Sequence, residues 1–81
     1  MEISQLQYFQ AMARVRHFTK AAEECAVSQS ALSRSIAKLE DELGTPLFVR
    51  HARRAELTHA GEHFLYHVDR VLRELEVAKR E

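Results

Sequence analysis

Between Thr19 and Leu43 the sequence spells a short helix, a turn of few residues and a longer helix, an order that leaves few architectures open to so small a chain. Thr19 is a good N-cap for a helix from Lys20 through Ala26, because its hydroxyl can accept from an otherwise unpaired amide. Ala21, Ala22, Cys25 and Ala26 are small, which lets another helix approach closely. Val27 marks the turn and Ser28 caps the next helix, whose apolar residues Leu32, Ile36, Leu39 and Leu43 recur at the spacing of one buried face. Gly44 reads as the C-cap, and Pro46 cannot continue the helix.

The flanks are equally periodic. Ile3, Leu6, Phe9 and Ala13, with Tyr8, Met12 and Val15 widening the stripe, predict an amphipathic helix over about residues 3 to 15. After the break, Leu47-Phe48-Val49 and Leu57 bracket the basic run Arg50-His51-Ala52-Arg53-Arg54, a pattern that fits two short strands around a tip. Thr58 caps a last helix that carries Phe64, Leu65, Val68, Val71, Leu72, Leu75 and Ala78 over an arc of about 140°. That is more apolar surface than one neighbour covers, so part of the face is expected to meet a second chain. The expected fold is mainly α: a winged helix-turn-helix, with a three-helix core and a short two-stranded wing, over residues 1–58. A long dimerisation helix over residues 59–81 completes the same structural unit.

The 81 residues allow one small domain, and their formal net charge is zero, so any attraction to nucleic acid must come from where charges sit. On the helix after Ser28, the face opposite Leu32 and Ile36 shows Ser30, Ser33, Arg34 and Ala37, with Gln29 at its edge and Lys38 behind. No acid interrupts it before Glu40, and Asp41 and Glu42 follow at the far end. A helix that enters the major groove needs short side chains for close approach and a few long donors that reach bases or phosphates. Gln29, Ser33 and Arg34 suit those parts. Periodicity alone does not separate this from an ordinary surface helix with a serine cap and solvated Arg34 and Lys38. The alternative function is a helical pairing module that does not engage DNA.

Longer strings of residues narrow the choice. Phe18-Thr19-Lys20-Ala21-Ala22-Glu23, then Val27-Ser28-Gln29-Ser30-Ala31-Leu32-Ser33-Arg34-Ser35-Ile36, then Leu39-Glu40-Asp41-Glu42-Leu43-Gly44 closely resemble the N-terminal domain of LysR-type transcriptional regulators. Leu47-Phe48-Val49-Arg50, Arg53 and Leu57-Thr58-His59-Ala60-Gly61 continue the match in register. The chain departs from the family pattern at Ser30, where proline is frequent, at Cys25 for leucine, at Ala55 for valine, and at Val15-Arg16-His17 for a glycine-containing turn. The resemblance implies a recognition helix in the major groove of double-stranded DNA, a wing along the backbone or minor groove, and a homodimer through the last helix on an interrupted palindrome. A tetramer is the further option for a full-length protein. The implied DNA-binding set is Thr19, Ser28, Gln29, Ser30, Ser33, Arg34, Lys38, Arg50, Arg53 and Arg54, and the implied pairing set is Phe64, Leu65, Val68, Val71, Leu72 and Leu75. An effector domain normally follows this region in the family, so the chain reads as a fragment.

Two signals point elsewhere. His59-Ala60-Gly61-Glu62-His63 spells H-x-x-E-H, a zinc-peptidase pattern, but such an enzyme needs a third ligand, a cleft and far more chain. His67 extends the histidines along a face turned from the apolar arc. Cys25 is the only cysteine and reads as a buried packing thiol rather than a redox sensor. No cofactor, metal or enzymatic activity is expected. With no secretory signal, no disulfide framework and no run near the roughly 20 apolar residues of a membrane span, the expected compartment is the cytoplasm.

Overall fold

The computed structural model describes residues 1–81 as α1 (Ile3–Val15), α2 (Phe18–Cys25), α3 (Gln29–Leu43), β1 (Phe48–His51), β2 (Arg54–Leu57) and α4 (His59–Arg80). α1 opens on a capping box in which Gln5 Oε1 accepts from the Glu2 amide at 2.7 Å. It closes at Arg16, which takes the left-handed conformation, φ 61°, that a glycine would adopt with less strain. His17 is then extended and caps α2 itself, its Nδ1 accepting from the Lys20 amide at 3.3 Å. α2 therefore begins two residues earlier than the sequence predicts, and Thr19 lies inside its first turn instead of capping it. Phe18, drawn in with that turn, is buried.

α2 ends on a second left-handed residue, Ala26, whose amide returns to Ala22 and Glu23 while the Val27 amide reaches Ala22. Ser28 Oγ accepts from the Ala31 amide at 3.1 Å and starts α3. Gly44 at φ 73° stops it. β1 and β2 pair antiparallel, with Phe48 opposite Leu57 and His51 opposite Arg54. β2 has a second neighbour. The Phe18 amide donates to Arg53 O at 3.0 Å and the Ala55 amide to Arg16 O at 3.2 Å, so residues 16–18 lie along the wing like a fragment of a third strand.

Glu40 holds the other side of the wing. Its Oε2 accepts from the Leu47 amide at 2.8 Å and the Phe48 amide at 3.3 Å, satisfying two donors where the chain leaves α3 for β1. Thr58 Oγ1 donates to Pro46 O and accepts from the Gly61 amide, which ties the start of α4 to the same junction. Gly61 passes so close that a Cβ there would overlap the Leu47 carbonyl oxygen.

Fourteen buried residues form the core, centred on Phe9 of α1. The Phe9 ring meets Phe48 of β1 at 5.4 Å between centroids and Phe64 of α4 at 5.1 Å. Leu32, Ile36 and Leu39 fill it from α3, but Leu43 is 39% exposed, because it is the last residue before the Gly44 turn. Cys25 is half-buried and stands outside the core, which corrects its reading as a buried packing residue. α4 lays Phe64, Leu65, Val68 and Leu72 on this core, and Gln10 Nε2 donates to Asp69 Oδ1 at 2.8 Å across the α1–α4 seam. Val68 is 2% exposed, so its own domain uses the surface that a partner would need. Val71 is 45% exposed and Ala78 is also on the surface.

Candidate nucleic-acid interface

The short second helix, the Ala26–Ser28 turn and the longer third helix form a helix-turn-helix whose outer face belongs to α3. At about 100° per residue, Arg34 lies opposite the buried row Leu32, Ile36 and Leu39, with Ser30 and Ala37 beside it. Ser28, Gln29, Ser30, Arg34, Ala37 and Lys38 are exposed, and Ser33 is half-buried at the edge. The face thus consists of short side chains around one long cation. On its far flank Arg34 and Lys38 line a shallow depression with Glu2, Gln5, Ala31 and Ser35. On its near flank Thr19 Oγ1 donates to Gln29 Oε1 at 3.0 Å and joins α2 to the first residue of α3. Ser28 and Ser30 place their hydroxyls 3.3 Å apart.

Glu40 is the one acid of the α3 end that is partly withdrawn, by its bonds to the wing amides; Asp41 and Glu42 remain exposed. The terminal amine of Met1 lies 3.4 Å from Glu42. Arg14 and Glu24 pair across α1 and α2, both well exposed. Burial, and next the neighbouring Glu24 carboxylate, push the Cys25 thiol up from its ordinary value against an opposing pull from Arg14. A raised thiol is a poor redox nucleophile at neutral pH.

The wing does not present its three arginines as one patch. Arg50 pairs with Ala55, which is buried, so both lie on the inner face, and the Arg50 guanidinium rests over the Phe18 ring at 4.8 Å. Arg53 occupies the tip, bound through its carbonyl to Phe18, beside the start of α2. Arg54 pairs with His51 on the outer face, which it shares with Glu56, 3.6 Å from His51 Nε2. Arg50 and Arg53 therefore meet Phe18 at the start of α2, whereas Arg54 bridges His17 through its backbone and lies on the outer face. The alternation of a strand carries this distinction, but it becomes readable only once the register is known.

The histidines of α4 form an exposed ladder, with the His63 and His67 rings edge to face at 5.1 Å. No three His, Cys, Asp or Glu side chains come close enough together to share a metal ion, so the H-x-x-E-H pattern assembles no third ligand. No helix is long and apolar enough to cross a membrane. The stay formed by Glu40, the third-strand pairing of residues 16–18 and the Gln10–Asp69 bond gave no sequence signal, since each joins positions that local pattern does not relate.

Comparison with known proteins agrees with this geometry. Residues 3–62 match the family model described as bacterial regulatory helix-turn-helix protein, lysR family. The chain is 48% identical over all 81 residues to an uncharacterized HTH-type transcriptional regulator, YybE, of Bacillus subtilis. It is 47% identical over 79 residues to the DNA-binding transcriptional dual regulator OxyR of Escherichia coli. It spans only 28% and 26% of those relatives' own lengths. Among solved structures, a BenM DBD/catB site 1 DNA complex superimposes with a TM-score of 0.93 at 35% identity, covering 99% of this chain and 89% of that one. A CbnR DBD–DNA complex superimposes at 0.87 with 41% identity, covering 99% and 88%.

Proposed function

Because the chain belongs to the lysR family of bacterial regulatory helix-turn-helix proteins, we propose that it binds double-stranded DNA sequence-specifically, as the DNA-binding domain of a transcription regulator. The observation that carries this reading is the α3 face, an exposed run of Gln29, Ser30, Arg34 and Lys38, together with the wing residues Arg50 and Arg53 held against Phe18 at the start of α2. In the major groove Arg34 would reach a base edge, with guanine the best fit for a guanidinium fork, while Ser30 and Ser33 allow the helix close to the bases. Ser28, Lys38, Arg50 and Arg53 would meet phosphates or the minor groove, and Arg54 is the weakest candidate because Glu56 shares its face.

The same reading takes the chain to be a binder rather than an enzyme, acting on the chromosome in the cytoplasm. It acts as a homodimer, since one recognition helix reads few base pairs and two-fold pairing presents two to a palindrome. Pairing falls to the part of α4 that its own core leaves uncovered, Val71, Leu75 and Ala78 with the outer edge of Leu72. Phe64, Leu65 and Val68 instead anchor α4 to the domain. The two DNA complexes among the similar structures support the DNA-binding reading.

Fluorescence anisotropy of labelled duplexes over a range of salt concentrations tests the reading. The affinity should fall linearly in a log–log plot, and removing Arg50 or Arg53 should reduce the slope by about one unit each. Arg34→Ala should weaken selected sites more than random duplex, by about 1–3 kcal/mol. A folded chain with no salt-dependent affinity for any duplex would leave only a helical pairing module.

A further inference from the structure

The Thr19 hydroxyl has one proton, and it goes to Gln29 Oε1 at 3.0 Å. No other side chain competes for that oxygen: Ser28 is engaged by the Ala31 amide and by Ser30. A glutamine carboxamide has one acceptor oxygen and one donor NH2. Reading adenine by two hydrogen bonds uses both at once, the oxygen accepting from N6 while the nitrogen donates to N7. With one of the two lone pairs of its oxygen taken on the α2 side, Gln29 offers the groove its NH2 more readily than its oxygen.

We propose that Thr19 is a positioning residue for base selection: by holding Oε1 it makes Gln29 a donor to acceptor edges, guanine O6 or N7 or thymine O4, and disfavours the two-bond reading of adenine. This rests on the DNA-binding reading above. Both residues are exposed, so water competes for the contact, and a neutral hydrogen bond of this kind shifts an equilibrium by at most about tenfold. Thr19 thus biases Gln29 without locking it. A second consequence concerns the backbone. The hydroxyl proton is no longer free for a phosphate, and any contact from Thr19 to the DNA backbone falls to its amide, which has no partner in the chain.

Selection from a pool of duplexes with a randomised segment, followed by sequencing, tests the proposal with the 81-residue chain and its Thr19→Val, Thr19→Ser and Gln29→Ala variants. Gln29→Ala should flatten one position of the enriched half-site and so locate the contact. There the parent should favour guanine or thymine, Thr19→Val should shift the ratio toward adenine by about three- to tenfold, and Thr19→Ser should restore the parent's preference. Valine has threonine's shape and the site is exposed; circular dichroism checks that each variant stays helical. Equal weakening on every sequence would assign Thr19 to the phosphates and overturn the proposal, as would an unmoved preference in Thr19→Val or a half-site that Gln29→Ala leaves intact. A folded parent that enriches no sequence would instead overturn the DNA-binding reading itself.

Discussion

Replacing Glu40 with alanine removes one oxygen that serves two backbone amides, and the structure sets the scale of the loss. Leu47 and Phe48 are both buried, and their amides lie 2.8 and 3.3 Å from Glu40 Oε2. A hydrogen bond to a charged group contributes about 1.5–3 kcal/mol, and the longer of these two belongs at or below the bottom of that range. The carboxylate is only partly buried, so water recovers some of what is lost, and Glu40→Ala should cost about 2–3 kcal/mol. A domain of this size loses about 4–8 °C of midpoint per kcal/mol, which places the fall at roughly 10–20 °C. Glu40→Gln keeps an acceptor at the same reach and should cost less than about 1 kcal/mol. Thermal unfolding followed by circular dichroism, with urea titration for the free energies, measures both. A Glu40→Ala chain within about 0.5 kcal/mol of the parent would show that solvent satisfies these amides equally well, and the account of the α3–β1 junction would fall.

Gly61→Ala should destabilise by at least about 1–3 kcal/mol, since the new Cβ meets backbone at Leu47 and neither segment can yield alone; an unchanged urea midpoint would contradict the close approach. Val71→Asp should leave the unfolding free energy within about 0.5 kcal/mol of the parent at concentrations where both are monomeric, yet shift sedimentation toward monomer where the parent pairs, because Val71 is exposed in one chain and assigned to the pair. Persistence of the dimer would move the interface elsewhere. Cys25 should alkylate more slowly than a free cysteine at pH 8, because a raised thiol carries less thiolate there, and Glu24→Gln should quicken it by removing the second cause; a thiol as fast as the free amino acid would refute both.

The caps at Ser28 and Thr58 and the stop at Gly44 were legible in the sequence because each is a local bargain between one side chain and amides a turn away. Thr19 was misread for the same reason. A threonine before a helical stretch looks like a cap, and nothing nearby announces that Arg16 turns left-handed and lets His17 take the place first. Glu40 was read only as a charge, since its partners lie seven and eight residues on, in a segment whose path the sequence does not reveal. On α4 the apolar arc is visible as periodicity, but periodicity cannot say which part the domain's own Phe9 covers and which part is left for a second chain. The exposed polar face of α3 was readable in outline because its buried row fixes the opposite side. The division of the wing arginines between two faces needed the strand register.

The bonds from Phe18 to Arg53 and from Ala55 to Arg16 have a consequence for the other molecule of the proposed complex. They tie the wing to the segment that leads into the helix-turn-helix, so the gap between the tip and α3, the proposed groove reader, is set before any duplex arrives. Whatever adjustment the fit requires must then come from the nucleic acid, through bending or a change in groove width. The stiffness of base steps that the chain never touches enters its affinity in this way, with flexible TA and CA steps favoured where the helix must give and rigid A-tracts where a narrow groove is already in place. Exchanging those untouched steps in an otherwise constant site measures this contribution directly, and identical affinities across all of them would mean that the wing yields after all.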